Sequence, residues 1–241
     1  MHRFRVEHIG DGDGIWLGDA GQVHHLKDVL RLAAGDEIEV FDDGGQECLC
    51  TVDRLERASV TLSVKSRRVP SSRRARLMVA CSLPKKGMDE IVDKLTQLGV
   101  DSIVPMRTER VVVKLGEEAA RARVERWRRL ARAAAEQSQR SDVPEVGPVT
   151  DFGQIVSLAG GFDLKLIPTV SGDRKTLEEA VDELRPASIL VLIGPEGDFT
   201  EQEVEMGRKA GFLPVSLGDR TLRVDTAAIA VASYLKVAGV T

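Results

Sequence analysis

The chain has 241 residues, 42% apolar and 30% charged, a length and balance that suit one large globular domain or two modest ones. No apolar run approaches the roughly 20 residues of a membrane helix, and MHRFRVEHIG holds no apolar signal core, so neither membrane insertion nor export is expected and the cytoplasm is the predicted location. The net charge of −4 conceals a segregation: residues 1–66 carry 7 basic and 13 acidic side chains, residues 67–140 carry 18 and 9, and residues 141–241 carry 9 and 16. The basic middle either meets a polyanion or is a solvated arginine-rich surface. Three cysteines, Cys48, Cys50 and Cys81, are too few and too odd for a disulfide framework and are expected to be reduced.

Short strands are predicted at 15–17, 37–41, 47–53 and 59–64. Residues 24–32 alone carry helical spacing here, with His25, Val29 and Leu32 at i, i+4, i+7 and Gly35 as the stop. Asp42-Asp43-Gly44-Gly45 reads as a hairpin, and Cys48 and Cys50 share one strand face, which favours packing over metal binding. RRVPSSRRAR, residues 67–76, buries little and marks a boundary between domains 1–70 and 71–241.

Beyond the boundary, apolar runs at 77–82, 102–106, 162–167, 189–193 and 214–217 alternate with helical stretches at 88–98, 117–139 and 226–237. This is the pattern of an α/β domain around a parallel sheet, and runs 77–82 and 189–193 lack strict alternation, as strands covered on both faces do. Further helices open at Thr176 and Thr200, where Thr176 with Glu179 and Thr200 with Glu203 have capping-box spacing. In the long basic helix, Val124, Trp127, Leu130, Ala131 and Ala134 form one stripe, and Arg121, Arg128, Arg129 and Arg132 occupy the other half. TAAIAVASYLKV is apolar almost all round and is expected to be enclosed, by its own chain or by a second subunit.

Two loops concentrate the chemistry. A buried strand ends in Gly194-Pro195-Glu196-Gly197 before a capped helix, and ligands of open α/β sheets gather beyond such carboxyl ends. The glycines permit close backbone approach, proline stiffens the turn, and an acid between them points to a ligand more than to an ordinary turn. In the second loop, SLGDRTLRVDTAA, Arg220 and Arg223 precede the apolar helix, and one of them meets either Asp219 or Asp225 or a ligand. Both loops follow strands of one sheet and can form one pocket. No G-x-G-x-x-G, Walker loop or nucleophile elbow is present. His2 and His8 lie in an arm or first strand, His24 and His25 diverge on a helix, and no metal site is expected.

With these loops in view, the segments HHLKDVLRLAAGDEIEVFDDGG, KLTQLGVDSIVPMRTERVVVK, RWRRLARAAAEQSQRSDVPEV, LIGPEGDFTEQE and LGDRTLRVDTA resemble the RsmE family of SPOUT-class methyltransferases, which methylate N3 of a uridine in 16S ribosomal RNA. The specific part is LIGPEG followed by LG-x-R-x-LR-x-x-TA. The resemblance implies a small PUA-like RNA-binding β-barrel, then an α/β domain with a C-terminal trefoil knot, and a homodimer. It also implies S-adenosylmethionine as donor, held at Pro168, Ile193, Gly194, Pro195, Glu196, Gly197, Leu217, Gly218, Leu222 and Thr226. Asp198 stands where the family commonly has glycine, and Asp225 where it commonly has glutamate.

Methyl transfer from a sulfonium is an in-line displacement that requires alignment and a nucleophilic acceptor. Uracil N3 normally carries a proton, and its loss leaves negative charge that a guanidinium can stabilise. Arg223 is the first candidate, Arg220 the second and Arg3 the third. N3 lies on the pairing edge, so the target must be unpaired or rotated out of its stack. Arg5, Arg31, Arg67, Arg68, Arg73, Arg74, Arg128 and Arg132 are the expected phosphate contacts. The alternatives are a non-catalytic RNA-binding factor of ribosome assembly, or an enzyme of the same class acting on another RNA position.

Overall fold

A computed structural model describes residues 2–6, 8–42, 46–68, 75–113, 115–140, 142–170, 172–181 and 185–241, with the side chains of Arg3 and Arg68 excepted. The chain divides into two compact units, residues 1–73 and 74–241.

In the first unit, β1 (His2–Val6), β2 (Gly14–Leu17), β3 (Glu37–Asp42), β4 (Glu47–Leu55) and β5 (Val60–Arg68) form one sheet in the order β1-β3-β4-β5-β2. β1 runs parallel to β3 and the other neighbours are antiparallel. The implied small β domain is this five-stranded sheet, with β1 and β2 outermost in the pairing order. Strand alternation sorts the side chains: Cys48, Cys50 and Val52 of β4 and Ile15 and Leu17 of β2 enter the core, and Trp16 points outward. Cys48 and Cys50 are buried free thiols, as the packing reading expected.

The helix of this unit departs from the expected 24–32. It starts earlier, as α1 (Ala20–His24), because the Asp19 carboxylate accepts from the Gln22 N–H at 2.9 Å and caps it. A π turn over His25–Val29 follows, closed by the Leu30 N–H on the His25 carbonyl at 2.9 Å. The wider turn changes the inward face, so Val23 and Leu26 are buried and Val29 is 57% exposed. The expected turn at Asp43-Gly44-Gly45 lies outside the described residues. Beside it the buried Asp42 carboxylate accepts from the Ile9 and Gln46 N–H groups, each at 2.9 Å.

The second unit contains β6 (Arg76–Ser82), α2 (Met88–Gln97), β7 (Ser102–Arg107), α3 (Glu117–Gln137), β8 (Glu145–Val146), β9 (Thr150–Asp151), α4 (Phe152–Ser157), β10 (Leu164–Pro168), β11 (Lys175–Thr176), α5 (Leu177–Val181), β12 (Ser188–Ile193), α6 (Glu201–Lys209), β13 (Leu213–Ser216) and α7 (Val224–Val237). The strand order is β11-β13-β10-β12-β6-β7-β8, with β9 also beside β7, and every pairing is parallel. Ile189, Val191 and Ile193 of β12 join the core made with α2, α3 and α7, and Leu190 and Leu192 join the opposite core made with α4 and Phe199. Both faces of the sheet are therefore apolar.

Both predicted capping boxes form. Glu179 accepts from the Thr176 N–H at 2.7 Å and Glu203 from the Thr200 N–H at 2.9 Å, and each threonine hydroxyl accepts the return bond. The unpredicted α4 carries its signal in the spacing of Phe152, Ile155 and Val156, all buried. The strand expected at 162–167 begins at Leu164, since Ala159–Gly161 form a 3-10 turn. Helix α7 opens at Val224, two residues before the expected start, with Arg223 as its extended N-cap. Its own unit buries only one face, through Val224, Ala228, Val231, Ala232 and Leu235; Ile229 and Ala230 are half-buried and Val237 is 87% exposed.

Candidate active site

Strands β13, β10 and β12 are adjacent and parallel, so their carboxyl ends deliver three loops to one edge of the sheet. These loops enclose a cavity of about 280 Å3. The β10 end contributes Pro168, Thr169, Val170 and Arg174; the β12 end contributes Ile193 through Asp198. The β13 end contributes Leu217, Gly218 and Arg220 through Leu222, and the start of α7 closes the floor with Val224 and Ala227. The two loops singled out by sequence thus share one pocket.

Local geometry explains several residues of these loops. At Gly194 an added Cβ would stand 3.0 Å from two atoms of the Phe199 ring, so glycine lets the ring close over the turn. Asp198 has φ +58°, a left-handed conformation that glycine or aspartate accepts more readily than most residues, which accounts for a glycine being common there. The Asp198 carboxylate accepts from the Val170 N–H at 3.0 Å and so ties the β12 loop to the β10 loop. Glu196, exposed at the tip, accepts from the Lys85 N–H at 3.3 Å and links the same loop to the end of β6.

Two further supports were not read from sequence. Arg110, on the loop after β7, donates to the Gly197 carbonyl at 2.7 Å and to the Phe199 carbonyl at 3.5 Å. Glu203, only 7% exposed, accepts from both the Thr200 and Glu109 N–H groups at 2.9 Å, so the cap of α6 also anchors the β7 loop. Arg174, half-buried and donating to the Thr169 carbonyl at 2.8 Å, is a third unanticipated residue of the pocket wall. Capping spacing revealed Glu203, but nothing local revealed its second partner.

Of the residues expected to hold a donor, all but Thr226 line the cavity; the Thr226 N–H and hydroxyl donate to Asp225 at 2.6 and 3.1 Å. Arg220 lines the cavity, whereas Arg223 is exposed at the start of α7 and outside the lining. Among the described residues neither arginine forms an ion pair, so of the two partners weighed for them Asp219 and Asp225 are not used. Arg3 occupies β1 opposite Glu39, with its side chain outside the described atoms. Cys81, at the carboxyl end of β6, is fully buried; burial, with the nearby Asp225 and Glu196 charges, pushes its thiol above the ordinary range and keeps it protonated.

The expected phosphate contacts are divided. Arg5 and Arg31 are exposed, the latter at φ +54°, and Arg67 is exposed while donating to the Gly12 carbonyl. Arg68 ends β5 with its side chain outside the described atoms, and Arg73 and Arg74 lie outside the described residues. Arg132 is exposed on α3, whereas Arg128 is committed to the Val146 carbonyl at 3.0 Å and Glu125 at 2.7 Å. Among the described residues no group of three or more His, Cys, Asp or Glu side chains could hold a metal ion, and no helix is long and apolar enough to cross a membrane.

The pocket suits S-adenosylmethionine chemically. Pro168, Ile193, Leu217 and Leu222 offer apolar walls for a purine, Glu196 can accept from hydroxyls or face a cation, and Arg174 and Arg220 can meet a carboxylate. Comparisons with known proteins identify the family. An RNA methyltransferase domain family matches residues 71–236, and an RNA methyltransferase PUA domain family matches residues 17–65. Ribosomal RNA small subunit methyltransferase E of Bacillus subtilis is 32% identical over 227 residues, spanning 88% of this chain and 87% of that protein. The Synechocystis protein of the same name is 34% identical over 209 residues, 86% of this chain and 67% of that protein. A crystal structure of the Neisseria gonorrhoeae protein of that name, bound to S-adenosyl methionine, superposes with a TM-score of 0.66 at 28% identity, covering 99% of this chain and 98% of that one. The chain therefore belongs to the ribosomal RNA small subunit methyltransferase E family.

Proposed function

We propose that this protein transfers a methyl group from S-adenosylmethionine to N3 of a uridine in 16S ribosomal RNA of the small subunit. The observation that carries the reading is the cavity at the ends of β13, β10 and β12, built from the loops with the most specific sequence. When bound, the donor supplies a methyl carbon on a positively charged sulfur. The loop amides and apolar walls fix its position, and Arg110, Asp198 and Glu203 hold those loops in register. The Arg220 and Arg223 guanidiniums stabilise the uracil carbonyl oxygens as N3 gives its proton to solvent and attacks the methyl carbon. The carbon–sulfur bond breaks as the nitrogen–carbon bond forms, leaving neutral thioether and methylated uridine.

We assign a trefoil knot to the carboxyl-terminal part of this unit on the family resemblance, and the order β13-β10-β12 accommodates it. The uncovered face of α7 supports a homodimer. We assign RNA holding to residues 1–70 and transfer to residues 71–241, with the cytoplasm as the place of action. Incubation with labelled donor and small-subunit RNA from a strain lacking the enzyme tests the reading. Label is expected at one uridine, mapped by mass spectrometry. Donor binding without transfer to the RNA or to assembled subunits would instead favour a non-catalytic assembly factor, and label at another position a different target.

A further inference from the structure

The first unit buries Phe4 and Phe41 but leaves Trp16 69% exposed. Alternation on β2 turns Trp16 away from the core that takes Ile15 and Leu17, and among the described residues β2 is a sheet edge with no further strand beside it. The indole is nevertheless held. A Cβ added at Gly18 would fall 2.0 to 2.7 Å from Cη2, Cζ3 and Cζ2 of the ring, so the six-membered ring rests where residue 18 has no side chain. The ring borders a groove of about 640 Å3, lined also by Arg5, His8, Gly10 and Gln22. Gln22 is pinned by donating to the Arg5 carbonyl at 2.7 Å, and the nearby Asp19 carboxylate accepts from the helix N-terminus at 2.9 Å.

We propose that this groove is a nucleotide subsite in which an unpaired RNA base stacks on Trp16 with Arg5 beside the adjoining phosphate. Of the apolar residues along the groove, Ile15 and Leu17 are buried and Val6 is half-buried, so Trp16 supplies most of the exposed apolar surface, too little for a stable protein interface, which requires on the order of 1,000 Å2. It offers what a single-stranded nucleic acid needs, a π face for a base with an arginine beside it, while the one acid of the lining among the described residues, Asp19, is engaged at the α1 N-terminus. A paired base cannot present that face, so the subsite selects locally opened RNA. Trp16 precedes the segment matched by the PUA family and is not assigned by it. This inference rests on the reading of the protein as an RNA-acting enzyme and adds a substrate contact to it.

The other tryptophan, Trp127, is 2% exposed with its indole N–H on Asp89 at 3.0 Å, so an RNA-dependent change in emission reports Trp16. The whole protein is titrated with a short single-stranded oligouridylate and with a blunt RNA duplex. Quenching by the single strand and none by the duplex is expected. Trp16→Ala weakens oligouridylate binding by about 5- to 100-fold, Trp16→Phe restores most of it, and calorimetric binding of S-adenosylmethionine is unchanged in both. Unaltered emission at saturating oligouridylate, or equal affinity of Trp16→Ala, overturns the subsite. If methyl transfer to small-subunit RNA proceeds in that case, only the subsite fails; if transfer fails as well, the enzymatic reading fails with it.

Discussion

Arg220 and Arg223 are three residues apart but stand differently toward the cavity, one in its wall and the other at the exposed N-cap of α7. A residue in the wall contributes to donor and transition state alike, whereas one beyond the wall acts on the acceptor. Arg220→Ala is therefore expected to weaken calorimetric donor binding together with turnover. Arg223→Ala is expected to lower kcat by roughly 100-fold, the order seen when one oxyanion donor is removed, and to leave donor affinity nearly unchanged. A different residue-scale test concerns Cys50, whose thiol is pushed up to about 11, chiefly by burial. The unfolded thiol ionises near 9.0, so between these values the folded state keeps a proton that the unfolded state loses. The associated stability is present below pH 9 and is lost as pH rises toward 11, by about 2 kcal/mol. The urea midpoint of the native protein should fall relative to that of Cys50→Val over that range, and parallel curves would remove the thiol as the cause. Packing of Cys48 and Cys50 was legible from their spacing of two; the burial that raises the thiol depended on strands far along the chain.

Helix α3 shows how far charge counting reaches. Its apolar stripe was legible, and Val124, Trp127, Ala131 and Ala134 are buried as the 3.6-residue period requires. Its cations were legible only as a total. Arg126 pairs with Asp89 of α2, Arg128 with Glu125 and the Val146 carbonyl, and Arg121 lies 3.6 Å from Glu117, so these positions serve the unit's own packing or pair along the helix. Arg123, Arg129 and Arg132 are exposed, with no ion pair among the described residues, and are the ones left to face phosphate. Replacing all three by alanine should reduce the slope of log affinity against log salt by up to about 2 to 3, given about 0.7 to 0.9 per phosphate contact. Arg128→Ala should instead lower the unfolding midpoint and leave the salt slope in place. Equal slopes for the triple variant and the native protein would move the RNA contact off this helix. The π turn after α1 was not legible for a related reason: one extra residue per turn changes the buried face without changing composition.

At the scale of the whole chain, alternating apolar runs and helices announced a parallel sheet, and the glycine loops announced the edge that carries the cavity. The spatial order of the strands stayed hidden, because β10 enters between β12 and β13 only through long-range pairing that no local pattern encodes. The same is true of Arg110 and of the second partner of Glu203, Glu109, which come from distant segments. The division into two units with separate cores carries a thermodynamic consequence. A unit that unfolds on its own absorbs heat in proportion to its length, about 50 kcal/mol for residues 1–73 and about 120 kcal/mol for residues 74–241. The cavity at the ends of β10, β12 and β13 lies wholly in the second unit, so a donor bound there is expected to stabilise that unit by mass action, about 2.7 kcal/mol at a concentration 100 times the dissociation constant. For a unit of that size this raises the midpoint by about 5 to 10 °C. Scanning calorimetry with and without S-adenosylmethionine should resolve a smaller transition that stays in place and a larger one that moves upward. A single transition displaced as one would mean that the two cores melt cooperatively, and a larger transition that ignores the donor would remove the cavity as its site.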